Sequence, residues 1–220
     1  MAKQKNKTTE LSLSEFKIKI AQDHPTIIDT RLPDYFELGH IPKSINYGFR
    51  QQYPELAKNL FNLENEVLLI CKIGEEEDMI NHFKSMGFGS IAGYLAGGID
   101  TWLQANEKYD MVISISAEEL ALDSKHNHKA VIIDIREVSE LNEGYVNNAQ
   151  NYPISTIIKN HPNIAKNTEL LVYCDKGFRS MMVASLLKIL GFTNIKNVWG
   201  GFEQIVHEKV EIKKSPLTLL

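Results

Sequence analysis

The chain has 220 residues, of which 43% are hydrophobic and 24% charged, and its formal net charge is −4. Such a composition is typical of a globular protein of one or two domains, and the slight negative charge argues against nucleic acid as a partner. No apolar run approaches the roughly 18 residues that a membrane-spanning helix needs, and no apolar stretch of a secretion signal follows the basic opening segment. The two cysteines indicate neither a disulfide framework nor a zinc site. We therefore expect a cytoplasmic protein without a membrane partner, in which a free thiol stays reduced.

The predicted elements begin with a helix over Leu13–Ala21, with Ser14 as its N-cap. A buried strand over Ile27–Thr30 follows, then a polar turn, a glycine-containing segment with a second short strand, and a helix of variable sequence. A third strand ends at Cys71 and leads through a loop into another helix. The last strand of this half, over Gly89–Tyr94, ends in a Gly-Gly turn before a terminal helix.

The second half follows the same plan after a linker predicted over Lys108–Ile115. Its first helix begins near Ser116, with Glu119 completing a capping box. Buried strands are predicted over Val131–Ile135 and Asn194–Val198. Because short apolar strands alternate with helices, each half is predicted to be an α/β domain with a mostly parallel central sheet and helices on both faces.

Matched residues in the two halves indicate an internal repeat, because six pairs keep an offset of 103–105 positions. The pairs are Asp29 with Asp134, Gly39 with Gly144, Cys71 with Cys174, Gly74 with Gly177, Gly87-Phe88 with Gly191-Phe192, and Gly97-Gly98 with Gly200-Gly201. We therefore predict two copies of one domain, over residues 8–107 and 112–212.

The segment around Cys174 contains the strongest chemical signal. An apolar run ending at Tyr173 predicts a buried strand, and a helical pattern resumes after Arg179 and ends before Gly191, a residue suited to the C′ position. Cys174 thus lies between a strand end and a helix N-terminus, which binds anions through its unpaired amides and partial positive charge. A lone cysteine at a strand end is more often a small buried hydrophobe, but the neighbouring glycine and cations favour a reactive thiolate.

Seven consecutive residues resemble a known family: Cys174, Asp175, Lys176, Gly177, Phe178, Arg179 and Ser180. Their order is similar to C-x-x-G-x-R-S, the active-site loop of rhodanese-family sulfurtransferases. Asp-x-Arg in both halves, the Glu37–Pro42 stretch and the closing Gly-Gly turns resemble further motifs of the family. The resemblance spans roughly Leu11–Val210 and implies two tandem rhodanese-like domains, with Cys174 as the catalytic residue and the other six residues of the loop as substrate-binding residues.

The first copy departs from this pattern, because Glu76 stands at the position of Arg179. Carboxylates at a helix start stabilise the helix but repel an anionic donor and disfavour a thiolate. We therefore predict that Cys71 is unreactive and that the N-terminal copy is a supporting domain. In the second copy, Asp134 and Arg136 are interpreted as an ion pair that supports the catalytic loop, since buried charges are normally paired.

The resemblance implies a sulfurtransferase that works by covalent, ping-pong chemistry. The Cys174 thiolate would take the sulfane sulfur of thiosulfate or a persulfide, with Lys176, Arg179 and the loop amides stabilising the departing anion. The resulting persulfide would pass its sulfur to a thiol, to cyanide or to a protein acceptor. No cofactor is implied, and the scattered histidines give no metal-ligand spacing.

Two alternatives remain at this stage. The first is a sulfur-carrier or partner-binding module without catalysis, related to the rhodanese part of persulfide dioxygenase fusions. The second is a cysteine-dependent phosphatase of the same fold. Those phosphatases use C-x5-R, whereas Cys174 and Arg179 are spaced as C-x4-R, which favours sulfur over phosphate.

Overall fold

A computed structural model describes residues 9–48, 61–127, 129–157 and 159–214. The chain divides into two compact units, Met1–Asp110 and Met111–Leu220. No helix within the described ranges is long and apolar enough to cross a membrane. Residues before 9 and after 214 lie outside the described residues. The helix of variable sequence predicted for the first copy also lies outside them.

The first unit contains a five-stranded sheet in the order β1-β5-β4-β2-β3, and every strand pair in it is parallel. The described elements of this unit are β1 (Glu10–Leu11), α1 (Leu13–Asp23), β2 (Thr26–Asp29), α2 (Pro33–Leu38), β3 (Ile45–Asn46), β4 (Val67–Ile70), α3 (Glu76–Ser85), β5 (Ile91–Leu95) and α4 (Gly98–Gln104).

The second unit repeats this topology in a parallel sheet with the order β6-β11-β10-β7-β9. Its described elements are β6 (Ile113–Ile115), α5 (Ala117–His126), β7 (Val131–Asp134), a 3-10 helix (Val138–Glu143), β8 (Tyr145–Val146), β9 (Gln150–Asn151), β10 (Leu170–Tyr173), α6 (Phe178–Ile189), β11 (Ile195–Val198), α7 (Gly201–Ile205) and β12 (Ile212–Lys213). Strands β8 and β12 form a separate antiparallel pair. The predicted α/β fold with two mostly parallel sheets is therefore confirmed.

Strand β10 shows how the second sheet is covered on both faces. Its four residues are all buried, and successive side chains of a strand point to opposite faces. Leu171 and Tyr173 join Leu120 of α5 and Phe202 of α7 in one buried cluster. Helix α6 packs against β10 and β11 and covers the opposite face of the sheet, to which the alternate side chains of β10 point. A strand covered on both faces can be apolar throughout, as parallel sheets require.

Capping residues explain where two helices begin. Helix α1 begins at Leu13, and its N-cap is Ser12 rather than the predicted Ser14. The prediction was wrong because Glu15 lies three positions after Ser12: its amide donates to Ser12 Oγ over 3.4 Å, and its carboxylate accepts from the Ser12 amide over 2.9 Å. The predicted capping box of Ser116 and Glu119 is confirmed: the Glu119 amide donates to Ser116 Oγ over 3.1 Å, and the Ser116 amide donates to the Glu119 carboxylate over 2.7 Å.

Three predicted boundaries differ from the structure. The linker is shorter than predicted, because Ile113–Ile115 pairs with β11 as an edge strand. The predicted strands are displaced by one or two residues, as for Gly89–Tyr94, which is observed as Ile91–Leu95. The helix of variable sequence is absent from the described residues between β9 and β10, which form turns; Pro153 lies in this segment and cannot donate a helical hydrogen bond.

Candidate active site

Cys174 lies between the end of β10 and the start of α6, as predicted, with three residues between it and Phe178, where α6 begins. The helix thus begins before Arg179 rather than after it. Its side chain is 1% exposed. The amide of Gly177, the N-cap of α6, donates to the Cys174 sulfur over 3.1 Å. The first amides of an α-helix have no acceptor within the helix, and the helix dipole there favours negative charge. The sulfur of Cys174 is therefore placed where the start of α6 offers it a hydrogen-bond donor.

Both conformation and space favour glycine at position 177. Its φ is +88°, in the left-handed region that favours glycine. A Cβ at this position would lie 3.1 Å from the Gly200 nitrogen and 3.6 Å from the Trp199 Cα. The turn between β11 and α7 therefore packs directly against the loop that begins at Cys174.

Two amides at the start of α7 donate hydrogen bonds to the same loop. The amide of Phe202 donates to the Cys174 carbonyl over 2.7 Å, and the amide of Glu203 donates to the Asp175 carbonyl over 3.0 Å. These bonds use orphan amides at a helix start. The helix that follows the Gly-Gly turn, a motif singled out in the sequence, thus fixes the carbonyls of Cys174 and of the residue after it.

Ser180 is the second predicted residue with a polar atom beside the sulfur. Its hydroxyl oxygen lies 3.5 Å from Cys174 Sγ and 2.6 Å from the side-chain carbonyl of Asn197. A hydroxyl has one proton, and the shorter contact assigns it to Asn197. Asn197 donates in turn to Ser114 over 3.2 Å. Asn197 was missed in the sequence, although an asparagine beside Val198 near the end of a predicted buried strand could have indicated it.

Arg179 forms a bidentate ion pair with Glu140, which the sequence analysis also missed. Its two terminal nitrogens donate to the two carboxylate oxygens over 2.7 and 2.6 Å. Glu140 lies in the 3-10 helix and also accepts from the amide of Glu137 over 2.9 Å. Burial is the largest single influence on Glu140 and opposes its ionisation. The hydrogen bonds from Arg179 and the Glu137 amide, with the charges of Arg179 and Arg136, together outweigh burial and lower the pKa of Glu140. The positive charge expected beside the sulfur is therefore already compensated.

The remaining predicted substrate residues, Asp175, Lys176 and Phe178, differ from Gly177 and Ser180 in their exposure. Lys176 and Phe178 are exposed, and Asp175 is half-buried. The structure thus brings Gly177 and Ser180 to the sulfur and ties Arg179 to Glu140. It leaves Lys176 and Phe178 on the outside of the loop.

Asp134 and Arg136 form a buried pair next to the strand that carries Cys174. Arg136 donates to the Asp134 carboxylate over 2.7 Å and to the Gly144 carbonyl over 2.8 Å, and its guanidinium lies 3.8 Å from the Phe202 ring centroid. Tyr173 donates its hydroxyl to the same carboxylate over 2.6 Å. Because Tyr173 directly precedes Cys174, this network fixes the end of β10.

Cys71 has a different environment in the first copy. It is buried, and the matched amide of Gly74 donates to the Glu76 carboxylate over 2.9 Å. Burial raises the pKa of Cys71 to about 12; the Thr30 hydroxyl opposes the rise, and the Glu76 and Asp29 carboxylates add to it. The loop amide that faces sulfur in the second copy therefore faces a carboxylate here.

No cluster of three or more histidine, cysteine or acidic residues with metal-binding geometry occurs in the described part of the chain. Two groups converge on Cys174: the Gly177 amide, which donates to the sulfur, and the Ser180 oxygen, whose proton goes to Asn197. Of these two, the amide is the group that can stabilise negative charge on the sulfur.

The family model described as "Rhodanese-like domain" matches residues 12–105 and 116–208. The uncharacterised protein YqhL of Bacillus subtilis is 34% identical over 76 residues, which are 34% of this chain and 60% of YqhL. The thiosulfate sulfurtransferase GlpE of Tolumonas auensis is 33% identical over 72 residues, which are 33% of this chain and 68% of GlpE. A crystal structure of a rhodanese-like domain protein from Staphylococcus aureus is 32% identical with a TM-score of 0.42; the match covers 47% of this chain and 100% of that one. The chain thus spans less than two thirds of YqhL.

Proposed function

Because the chain belongs to the family of rhodanese-like domain proteins, with two such domains, we propose that it is a sulfurtransferase in which Cys174 carries the transferred sulfur. The family and its sulfurtransferase relatives support a role in sulfur transfer. The observation that carries the assignment to Cys174 is the 3.1 Å hydrogen bond from the Gly177 amide to its sulfur. In the first copy the matched amide is bound to Glu76 instead.

The reaction follows from this geometry in two steps. The Cys174 thiolate attacks the outer sulfur of thiosulfate or a persulfide, a sulfur–sulfur bond forms, and the donor's own bond to that sulfur breaks. Sulfite or a thiolate leaves with the electron pair. The terminal sulfur of the new persulfide carries negative charge, which amides at the start of α6 stabilise. A thiol or cyanide then attacks that sulfur and releases the Cys174 thiolate.

The ion pair of Arg179 bears on the phosphatase alternative. A phosphatase of this fold needs its arginine to bind a phosphate dianion, since bidentate arginine contacts are the strong ones. Here both terminal nitrogens of Arg179 are used by Glu140. Together with the C-x4-R spacing, this pairing favours sulfur as the transferred group.

The test is intact-mass analysis of the purified chain after exposure to thiosulfate, to an organic persulfide and to an aryl phosphate. We expect at least one sulfur donor to add a single sulfur atom to Cys174, and cyanide to remove it as thiocyanate. Turnover of donor with cyanide supports the enzyme, whereas an adduct that forms once and is not turned over supports the carrier alternative. Phosphate release without a sulfur adduct would overturn the proposal.

A further inference from the structure

Exposed apolar side chains follow each of the three central strands of the second sheet. Val138 lies four residues after β7, Phe178 begins α6 after β10, and Trp199 follows β11 directly. Their exposed fractions are 65%, 38% and 55%. Neighbouring strands lie about 4.8 Å apart, and all three residues are at the carboxyl edge of the sheet. We call these three residues the apolar rim.

Two contacts connect the apolar rim to the Cys174 loop. The backbone of Trp199 lies next to Gly177, since a Cβ added at Gly177 would come within 3.6 Å of the Trp199 Cα. The ion pair between Glu140 and Arg179 ties the 3-10 helix that contains Val138 to the start of α6. The rim is therefore built on elements that touch the loop, on either side of the strand that ends at Cys174.

The charges of the loop balance one another. Arg179 is paired with Glu140 at 2.6 Å. Lys176 and Asp175 have opposite charges, and Lys176 is exposed, so water and salt screen its field. A dianion such as thiosulfate would therefore find no uncompensated cation fixed at this loop among the described residues.

The apolar rim is specific to the copy with the amide-bound cysteine. The matched positions of the first copy are Pro33, Glu75 and Ala96. None of these is aromatic, and Glu75 adds a charge. The first copy exposes other apolar side chains after its strands, Leu32, Tyr35 and Ile73, but it has no aromatic residue at the positions that match Phe178 and Trp199.

We propose that Cys174 takes its sulfur from an organic donor that has an apolar carbon substituent and at most one negative charge, with the substituent packed against Phe178 and Trp199. This inference rests on the proposed sulfurtransferase function. For a thiosulfonate donor, the Cys174 thiolate forms a bond to the terminal sulfur and the bond between that sulfur and the sulfonyl group breaks. The electron pair leaves with the sulfinate, so one thiolate and one thiosulfonate give one persulfide and one sulfinate.

The test compares three donors of the same sulfane sulfur: thiosulfate, methanethiosulfonate and benzenethiosulfonate. The kcat/KM for persulfide formation is divided by the rate of each donor with free 2-mercaptoethanol, which removes differences in intrinsic reactivity. We expect the normalised value to rise from thiosulfate to methanethiosulfonate to benzenethiosulfonate. Equal values, or the highest value for thiosulfate, overturn the inference while leaving the sulfurtransferase proposal standing. Failure of all three donors and of a polysulfide overturns both.

Variants assign the preference to individual residues. Trp199→Ala and Phe178→Ala are each expected to lower the ratio of benzenethiosulfonate to methanethiosulfonate by about tenfold, the size of a lost aromatic contact with its buried area. Leu122→Ala, which removes an exposed apolar side chain from α5, is the matched control and should leave the ratio unchanged. A ratio that is unaffected by both aromatic substitutions contradicts the proposed contact.

Glu140 is tested as a positioning residue that acts through Arg179. Glu140→Gln removes the charge that compensates the guanidinium but keeps a side chain of the same shape. We expect thiosulfate to gain roughly tenfold over benzenethiosulfonate, as for a charge-assisted bond that becomes available to an anion. A purely structural role of Glu140 would lower the kcat/KM values for thiosulfate and benzenethiosulfonate together. An unchanged ratio of these two values would show that the ion pair does not set the charge preference.

Discussion

The Cys71 and Cys174 loops follow matched strands of two sheets with the same topology, but the amide three residues after the cysteine has a different acceptor in each. In the second copy it donates to the cysteine sulfur over 3.1 Å, and in the first it donates to the Glu76 carboxylate over 2.9 Å. Glu76 occupies the position of Arg179. One residue type at the start of a helix therefore decides whether the loop amide is available to sulfur or is bound by the protein's own anion.

The aspartate–arginine pairs, in contrast, are present in both copies. Asp29 binds Arg31 at 2.6 Å, and Asp134 binds Arg136 at 2.7 Å. Since the pair is the same beside both cysteines, it belongs to the scaffold and does not determine which loop can hold a reactive sulfur. Tyr173 is the added element of the second copy, where the first has Ile70.

The largest difference between the copies should appear when each cysteine is replaced. Cys174→Ser is expected to abolish transfer of sulfur from thiosulfate or a thiosulfonate to cyanide, because no nucleophilic sulfur remains at the loop amide. Cys71→Ser should retain most of the activity. Steady-state thiocyanate release measures both variants. Equal losses would show that the two loops share the chemistry.

The second largest difference is expected in the alkylation rates of the two thiols. With its pKa raised to about 12, Cys71 should react with iodoacetamide on the order of a thousandfold more slowly at pH 8 than a free cysteine of ordinary pKa. Its rate should rise about tenfold per pH unit below that pKa. Glu76→Gln should accelerate it by removing one of the carboxylates that raise the pKa. Mass spectrometry of single-cysteine variants measures the rates, and faster labelling of Cys71 than of Cys174 would contradict the comparison.

Arg179→Ala tests whether the second loop can be made to resemble the first. It leaves the Glu140 carboxylate unpaired beside an anionic donor, and we expect persulfide formation to slow by roughly ten- to a hundredfold. The double variant Arg179→Ala/Glu140→Ala should recover part of the loss, because the unpaired carboxylate is gone. Stopped-flow persulfide formation measures the cycle; strictly additive losses would mean that the two residues act independently.

The glycines of the two loops provide a matched pair for stability. Gly74 and Gly177 have φ values of +87° and +88°, so alanine costs about 1 kcal/mol of left-handed strain at either position. A Cβ at Gly74 meets nothing within 4 Å, whereas one at Gly177 approaches the Gly200 nitrogen at 3.1 Å. Gly177→Ala should therefore cost about 1 kcal/mol more in urea unfolding, as for mild overpacking. Equal costs would mean that the contact relaxes freely.

The smallest expected effect is the pH dependence of the Glu140 and Arg179 ion pair. Since the pKa of Glu140 is lowered from its ordinary 4.5 in the folded state, its ionisation stabilises the fold above that value. The contribution is lost as pH falls through the lowered pKa. Because the carboxylate is partly exposed, we expect less than about 1 kcal/mol. The free energies of unfolding of the native chain and of Glu140→Gln should differ at pH 7 and converge as the pH falls below the lowered pKa of Glu140.

Regular local patterns allowed much of this architecture to be predicted. The offset of 103–105 residues predicted two copies, and both sheets have the same strand order. Cys174 was expected between a strand end and a helix start, and Gly191 was expected just after that helix, where its φ is +91°. These features depend on hydrophobic period and on residues with special backbone preferences, which are visible within about ten positions of sequence.

The partners of the site residues depended on tertiary structure. Glu140 and Arg179 are 39 residues apart and meet because β7 and β10 are neighbours whose carboxyl ends share one edge. The contact of Ser180 with Asn197 depends in the same way on the pairing of β10 with β11. The sequence by itself determined which residue types follow each strand and where the cysteine lies. Strand order in the folded sheet decided which charges cancel and which polar groups reach the sulfur, because side-chain contacts act over a few ångströms and not along the chain.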